Sequence, residues 1–245
     1  IDQRSPARHP DWLGPDDLAV KIEQLREATD WRIPVHVKLG ACRVGDDVKL
    51  AAKAGADAIV IDSMVAGTGA SAEVLIEHSG VPTVPAIVMA REALRELGLY
   101  GKVSLIASGG IRHGADAAKA LALGADAVAI GTAGLIALNC NKEITESDFE
   151  SEVGVPAGFC HHCHTGKCPV GIATQNPELT KRLDPDEAAE RVANFLNSMT
   201  MEMALLTRSL GKSDVHSLEP EDLAALTIEA SAMARVPLVG TNKVY

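Results

Sequence analysis

An internal repeat constrains the fold of this chain more than any other feature of its sequence. Residues 45–62 (GDDVKLAAKAGADAIVID) and 114–131 (GADAAKALALGADAVAIG) share an Ala-rich helical stretch, a glycine and a short β-branched run. Glycine often ends helices because it tolerates the left-handed conformation. The apolar residues of Ala58–Asp62 run without alternation, which is typical of a strand buried on both faces. Each copy therefore predicts a helix followed by a buried strand.

A further strand precedes each copy, so four strands are predicted in series. Strands that alternate with helices form parallel sheets. We interpret the four units as the C-terminal half of a (β/α)8 barrel of the TIM type, an α/β fold, with a small open doubly wound sheet as the alternative. The predicted strands are Val35–Leu39, Ala58–Asp62, Ser104–Ser108 and Ala127–Gly131, and the predicted helices lie near 15–29, 44–54, 90–98 and 112–123.

The sequence changes character after Cys140. Residues 141–183 are polar and rich in glycine and proline, 184–211 have the pattern of one long amphipathic helix, and 219–235 that of a shorter helical pair. We expect three parts, namely the half-barrel at 1–140, a cysteine-bearing segment at 141–183 and a helical extension at 184–245. Because half of a barrel is missing and the first residue is not Met, we expect a fragment, a processed product, or a subunit completed by a second polypeptide.

Composition argues against several classes of partner. The 33 acidic residues outnumber the 23 Lys and Arg residues and give a formal net charge of −10. A nucleic-acid binder would show a basic face, and an anionic membrane would repel this chain. No apolar run is long enough to span a bilayer, and no secretory signal is present. We expect a cytoplasmic protein that binds neither nucleic acid nor membrane.

Glycine turns end the last two predicted strands. Glycine lets backbone N–H groups approach phosphate oxygens, and the helix starts near residues 112 and 133 would point their positive ends at the same anion. In barrel enzymes the loops after strands seven and eight often hold a phosphate. We predict an anion site here, with simple loop closure as the alternative. Its residues are Ser108, Gly109, Gly110, Gly131 and Thr132.

Three of the five cysteines are crowded into one turn-rich segment. Residues 159–175 read FCHHCHTGKCPVGIATQ, so Cys160, Cys163 and Cys168 are separated by two and four residues. Without a signal peptide, such crowding indicates metal chemistry rather than disulfides. Spacing alone leaves three alternatives, which are an iron–sulfur cluster, free buried thiols, and a zinc site. The zinc site would use the interleaved His161, His162 and His164.

Together these motifs resemble the FMN-binding synthase domain of the glutamate synthase family. ASGGIR at 107–112, GADA at 124–127 and IGT at 130–132 look like the phosphate-binding half of FMN and IMP barrel enzymes. The cysteine segment at 163–175 is similar to the cluster segment of glutamate synthases almost residue for residue, and it is the specific part of the resemblance. The resemblance implies FMN and a 3Fe-4S cluster as cofactors.

The resemblance also implies the cluster ligands. Cys163 and Cys168 correspond to the second and third ligands of the family. The stretch that ends in Cys140 resembles the one that carries the first ligand, although an insertion at about 141–162 follows it, and Cys160 is a rival closer in sequence. We expect a 3Fe-4S cluster on Cys140, Cys163 and Cys168 with Cys160 as competitor, and a 4Fe-4S cluster if all four bind.

Further residues are implied around the flavin. Lys38 lies in a strand similar to the Val-Lys-Leu strand of the family, where a cation stabilises negative charge on reduced flavin; the alternative is that it only reaches solvent. The loop AGTGAS at 66–71 resembles the family's flavin and 2-oxoglutarate loop and adds Gly67, Thr68 and Gly69. Residues 62–65 (DSMV) depart from the family's Ser-Gly-His-Asp, which leaves the substrate open.

The resemblance implies a flavoprotein oxidoreductase of the glutamate synthase type, acting on CH–NH2 donors. It would reduce the imine of 2-oxoglutarate with ammonia or an amine, and so form glutamate or an N-substituted glutamate. The expected partners are the N-terminal half of the barrel, ferredoxin or a nicotinamide-dependent subunit as electron donor, and a glutaminase subunit. A barrel dehydrogenase without a cluster and a zinc-binding assembly subunit are the alternatives.

Overall fold

A parallel sheet of four strands lies at the centre of the chain. The structure, a computed structural model, describes residues 6–67, 69–144, 147, 150–151, 160 and 162–245. Each strand pairs with its neighbour in sequence, in the order β1-β2-β3-β4. The predicted α/β class with parallel strands is confirmed. The strands are β1 (His36–Gly40), β2 (Ala58–Asp62), β3 (Ser104–Ser108) and β4 (Ala127–Ala129).

Helices connect and flank these strands. α1 begins at Pro15, which suits the first turn because proline lacks only an N–H that has no partner there. The helices are α1 (Pro15–Ala28), α2 (Val44–Lys53), α3 (Glu73–His78), α4 (Thr83–Glu96), α5 (Gly114–Ala122), α6 (Thr132–Ala137), α7 (Pro177–Thr180), α8 (Pro185–Ser209) and α9 (Ile228–Ala234), with 3-10 turns at Val215–Ser217 and Pro220–Asp222.

The strand order fits part of a TIM-type barrel. In a doubly wound sheet the strand order reverses at a switch point, whereas neighbouring barrel strands follow one another in sequence. The four strands show no reversal. α2 and α4 pack against each other and both contact β2, so they cover the same face of the sheet.

That helix-covered face forms the core. Ile59 and Leu105 are fully buried, and Val37 and Ile61 are nearly so. Burying each such side chain contributes about 1.5–3 kcal/mol. On the opposite face, Lys38, Val60 and Ile106 stand in register and remain exposed or half-buried. The sheet is therefore packed on one side and less covered on the other.

The repeated aspartate makes a similar contact in both copies. Asp57 Oδ2 accepts a hydrogen bond from Val35 N at 2.7 Å, and Asp126 Oδ2 accepts one from Leu105 N at 2.7 Å. The bond from Val35 lowers the pKa of Asp57, and the Arg26 guanidinium at 3.0 Å lowers it further, while partial burial opposes both. In each copy, the aspartate of the Gly-Ala-Asp motif precedes one strand and hydrogen-bonds to the backbone at the start of the strand before it, β1 in the first copy and β3 in the second.

The C-terminal helices α8 and α9 pack against the helices that lie between the strands. α8 packs along α5 and also contacts α6. Met199 of α8 and Ala234 of α9 belong to the same hydrophobic core as the strands. The division of the chain at residues 140 and 183 stays a prediction. Among the described residues, no helix combines the length and apolarity needed to cross a membrane.

Candidate functional site

A cavity of about 790 Å³ lies at the carboxyl ends of β3 and β4. Small-molecule sites are commonly about 300–1,000 Å³. The loop after β2 and helices α6 and α8 complete the wall. Of the nine predicted flavin residues, the structure brings six together here, namely Gly67, Ser108, Gly109, Gly110, Gly131 and Thr132.

The turn after β3 requires glycine. Gly109 has φ +114°, and a Cβ there would stand 2.1 Å from Ser63 Oγ and 3.0 Å from Ala66 N. Ser63 Oγ lies 2.7 Å from Thr83 Oγ1, which donates a hydrogen bond to Gly109 O at 2.9 Å. The turns after β2 and β3 are therefore held in direct contact, and both line the cavity.

Backbone donors of the glycine turns face no protein acceptor. In the part of the chain that the structure describes, the N–H groups of Gly109, Gly110 and Gly131 donate to no acceptor. Gly131 also has no atom within 4 Å of where its Cβ would stand. Donors with free space beside them suit an anionic ligand.

The start of α5 is not an open anion site. Gly114 N donates to Glu202 Oε2 at 2.6 Å, and Arg112 N donates to Asp116 Oδ2 at 3.1 Å. The expectation that this helix would direct its positive end at the anion stays a prediction, although Glu202 already accepts from the first N–H group of the helix. At α6, in contrast, no side chain among the described residues caps the first turn.

Lys38 lies on the less covered face of the sheet and does not line the cavity. Its Nζ is 3.0 Å from Asp62 Oδ2, and its side chain is 56% exposed. Asp62 Oδ1 is buried and has no hydrogen-bond partner among the described residues. The position at which the sequence departs from the family pattern thus contacts the predicted catalytic lysine directly.

Four of the five cysteines come together. Burial raises the pKa of the Cys140 thiol, and the nearby Cys163, Cys168 and Cys160 raise it further. Burial also raises the pKa of Cys163, followed by Cys160 and Cys168. Such mutual effects require the sulfurs to be near one another. Cys42 is exposed in the turn after β1 and stands outside this group.

The four thiols lie near each other. Within the described ranges, no three His, Cys, Asp or Glu side chains are placed to hold a single metal ion. A zinc ion with bonds of about 2.3 Å would draw its thiolates to within about 4 Å of one another. A cluster distributes its thiolates over several irons, so its ligands are spaced more widely. Neighbouring thiols are donors that either metal chemistry can use, so the choice between a cluster and zinc stays a prediction, and His161 lies outside the described residues.

The loop after β2 connects the cavity with the cysteines. Gly67 lines the cavity, while a Cβ on Gly69 would stand 2.8 Å from the Cβ of Cys163. Gly69 O also lies 3.1 Å from His164 Nδ1. Predicted residue Thr68 lies outside the described residues. One loop thus touches both predicted cofactor sites.

Helix α8 adds cavity residues that the sequence analysis missed. Arg191, Asn194 and Phe195 line the cavity, and their i, i+3, i+4 spacing places them on one face of the helix. The helix itself was predicted, but its amphipathic pattern did not reveal that this face would meet the glycine turns.

Comparison with known proteins identifies several relatives. A family model described as "Conserved region in glutamate synthase" matches residues 1–213. The "Glutamate synthase large subunit-like protein" of Rhizobium meliloti (strain 1021) is 56% identical over 242 residues, which cover 99% of this chain and 54% of that protein. The "Archaeal glutamate synthase (NADPH)" of Methanocaldococcus jannaschii is 44% identical over 218 residues, or 89% of this chain and 39% of that protein.

A more distant relative is the "Glutamate synthase (NADPH) large chain" of Bacillus subtilis (strain 168), which is 34% identical over 219 residues. The match covers 86% of this chain and 13% of that protein. The chain therefore spans about half the length of the Rhizobium relative and smaller shares of the other two.

Proposed function

The chain belongs to the glutamate synthase family, and from this membership we propose that it carries the phosphate end of an FMN-binding (β/α)8 barrel beside an iron–sulfur cluster. Its four sequential strands would be the C-terminal half of that barrel. The enzyme would be an oxidoreductase that reductively aminates 2-oxoglutarate to glutamate or an N-substituted glutamate. The names of the relatives support this class of reaction.

The observation that carries the proposal is the contact between the glycine loop and the cysteine segment. Gly69 packs against Cys163 so closely that a methyl group would not fit, and Gly67 on the same loop lines the cavity. Redox partners that exchange electrons need such proximity. The loop would hold the flavin and 2-oxoglutarate on one side and the cluster ligands on the other.

The cavity suits a flavin mononucleotide. The free N–H groups of Gly109, Gly110 and Gly131 would bind the phosphate, and Ser108 and Thr132 would add hydroxyl donors. The apolar side chains of Val65 and Ile136 would contact the uncharged part of the ligand. When bound, FMN supplies hydride transfer and the cluster supplies single electrons.

The thiols would hold the cluster. Cys140, Cys163 and Cys168 are proposed as ligands of a 3Fe-4S cluster, with Cys160 as the alternative first ligand, or as the fourth ligand of a 4Fe-4S cluster. The raised pKa values of Cys140 and Cys163 mean that ligation by these two thiols would release protons, because only thiolates bind iron.

Lys38 would supply a positive charge on the less covered face of the sheet, which would be the inside of the completed barrel. Its ammonium group is held by Asp62 at 3.0 Å, which fixes its direction and offsets part of its charge. A lysine in this position stabilises negative charge that develops during reduction. Since Asp62 belongs to the stretch that departs from the family pattern, the amine substrate remains either ammonia or a substituted amine.

The proposal requires partners. The remaining barrel strands would cover the sheet face that carries Lys38, and electrons would come from ferredoxin or a nicotinamide-dependent subunit. A glutaminase subunit would deliver ammonia if ammonia is the substrate. These partners are proposed from the family, whose members that match this chain are longer than the chain.

Metal analysis and spectroscopy of the purified full-length protein test the proposal. We expect flavin absorbance, several irons per chain and an EPR signal from the oxidised cluster. Cys163→Ser and Cys168→Ser should each lose the EPR signal and the activity. Cys42→Ser removes a cysteine outside the cluster group and should retain both. Separate Cys140→Ser and Cys160→Ser variants would show which of the two is the first ligand.

Three outcomes would contradict the proposal. Stoichiometric zinc without flavin absorbance would instead support an assembly subunit. Flavin without iron would support a barrel dehydrogenase that lacks a cluster. Retention of the EPR signal in both Cys163→Ser and Cys168→Ser would show that these two cysteines are not the cluster ligands.

A further inference from the structure

Among the residues that the structure describes, the cavity wall contains positive charge and no negative charge. Of its 17 lining residues, two are charged, and these are Arg112 and Arg191. The whole chain has a net charge of −10, so this local excess of positive charge is not a property of the general surface. A wall of this kind favours an anionic ligand.

Arg112 faces a carboxylate, which offsets part of its charge. Its Nε lies 3.4 Å from Asp116 Oδ2, and its side chain is 74% exposed. Its backbone N–H bonds the same carboxylate. The neighbouring helix start is occupied by Glu202. These carboxylates compensate the positive charge on the α5 side of the cavity.

Arg191 lines the cavity from helix α8. Its Nε donates to Ala137 O at 3.1 Å, at the end of α6. In the described part of the chain it forms no ion pair. A guanidinium has five N–H donors, and the one bond to Ala137 leaves four for a ligand. That bond also anchors the arginine to the short helix α6, whose N-cap Gly131 and first residue Thr132 line the same cavity.

We propose that Arg191 is a phosphate-binding residue of the flavin cavity, contributed from outside the barrel by the long C-terminal helix α8. This inference rests on the proposed function and names a residue that the motif comparison does not assign. The fork of donors on a guanidinium matches phosphate geometry. The ligand class is a phosphomonoester dianion on an apolar group, which FMN has and riboflavin lacks.

The position of Arg191 connects flavin binding to the cysteine segment. α8 follows that segment directly in the chain, and Ala137 lies three residues before Cys140. A phosphate bound by Arg191 would therefore draw together α8, the end of α6 and the chain that leads to a proposed cluster ligand. Binding of FMN should then stabilise this part of the protein as well as the glycine turns.

Paired titrations of flavin-free, full-length protein with FMN and with riboflavin test the inference. We expect Arg191→Gln to weaken FMN binding about tenfold, as expected for loss of one charge-assisted hydrogen bond at a solvent-accessible site, and to leave riboflavin binding unchanged. Arg191→Lys should recover part of the loss because it keeps the charge without the planar fork. Arg208→Gln makes the same charge change on the same helix, beside a different cavity, and should leave both affinities unchanged.

The two flavins separate a phosphate contact from a structural role. An Arg191→Gln variant that binds FMN as tightly as the wild type would overturn the inference. Equal losses for FMN and riboflavin would also overturn it, since they would show that Arg191 acts only through Ala137. If the wild type binds neither flavin, the proposed function itself fails and this inference fails with it.

Discussion

Replacing Gly109 with alanine probes the contact between the two turns that line the cavity. A Cβ at this position would stand 2.1 Å from Ser63 Oγ and 3.0 Å from Ala66 N. Ser63 cannot turn away without losing its 2.7 Å hydrogen bond with Thr83, and the backbone N–H of Ala66 is held by a 2.8 Å hydrogen bond to Ser63 O. The substitution therefore meets both an unfavourable backbone conformation and a steric clash.

The expected cost has three contributions. A positive φ of +114° costs an alanine about 1–2 kcal/mol relative to glycine. Overpacking adds about 1–3 kcal/mol. Loss of the Ser63–Thr83 bond adds about 1 kcal/mol. Gly55 is a matched control, because its φ is +100° and its Cβ would meet only Ile22 at 3.9 Å. Gly55→Ala should bear the first contribution alone, so the two variants should differ by about 2–4 kcal/mol.

Urea unfolding of flavin-free protein measures this difference, since bound flavin would add its own stabilisation. Ser63→Ala removes the nearest clashing atom and should restore part of the stability of Gly109→Ala when the two are combined. If Gly109→Ala costs no more than Gly55→Ala, or if Ser63→Ala restores nothing, the two turns are not in the contact described and the argument for a shared cavity wall is refuted.

Two further predictions concern charged groups. Asp57→Asn should destabilise the fold at neutral pH. Because folding lowers the pKa of Asp57 from 3.8, the ionised carboxylate stabilises the folded state above that value, and this stabilisation is lost as the pH falls through the folded-state pKa. The difference in the free energy of unfolding between wild type and variant should therefore be smaller at pH 3 than at pH 7. Lys38→Ala should slow imine reduction about 100-fold, as measured by stopped-flow kinetics, and should leave the FMN affinity measured by flavin titration unchanged. If the FMN affinity falls as much as the rate, Lys38 acts in flavin binding instead.

The strands could be predicted because each repeat carries its own local signal. The apolar run of β2 begins after Gly55-Ala56-Asp57, and the observed bounds Ala58–Asp62 match the prediction. β3 also matches, at Ser104–Ser108. β4 ends at Ala129, two residues before the predicted end, because Gly131 already caps α6. The signal is local in each case, so no tertiary information was needed.

Two features were harder to predict, namely the start of a helix that has prolines in its first turn and a contact between residues far apart in the sequence. α4 begins at Thr83, well before the predicted start near residue 90. Pro82 and Pro85 suggest a loop, yet proline is tolerated in a first turn where N–H groups have no helical partner. The role of Glu202 at the start of α5 was also unpredictable, since 88 residues separate it from Gly114.

Two close approaches constrain the cysteine segment. Gly69, in the loop after β2, meets the side chain of Cys163, and within the segment itself a Cβ on Gly171 would stand 2.4 Å from Leu179 O. Gly171 also has φ +84°, which favours glycine on backbone grounds. A side chain on Gly69 would push Cys163 away from the loop whose other end lines the cavity, and a side chain on Gly171 would force the segment away from its own short helix α7. Either change would move the thiols relative to the cavity even though every cysteine remained in the sequence.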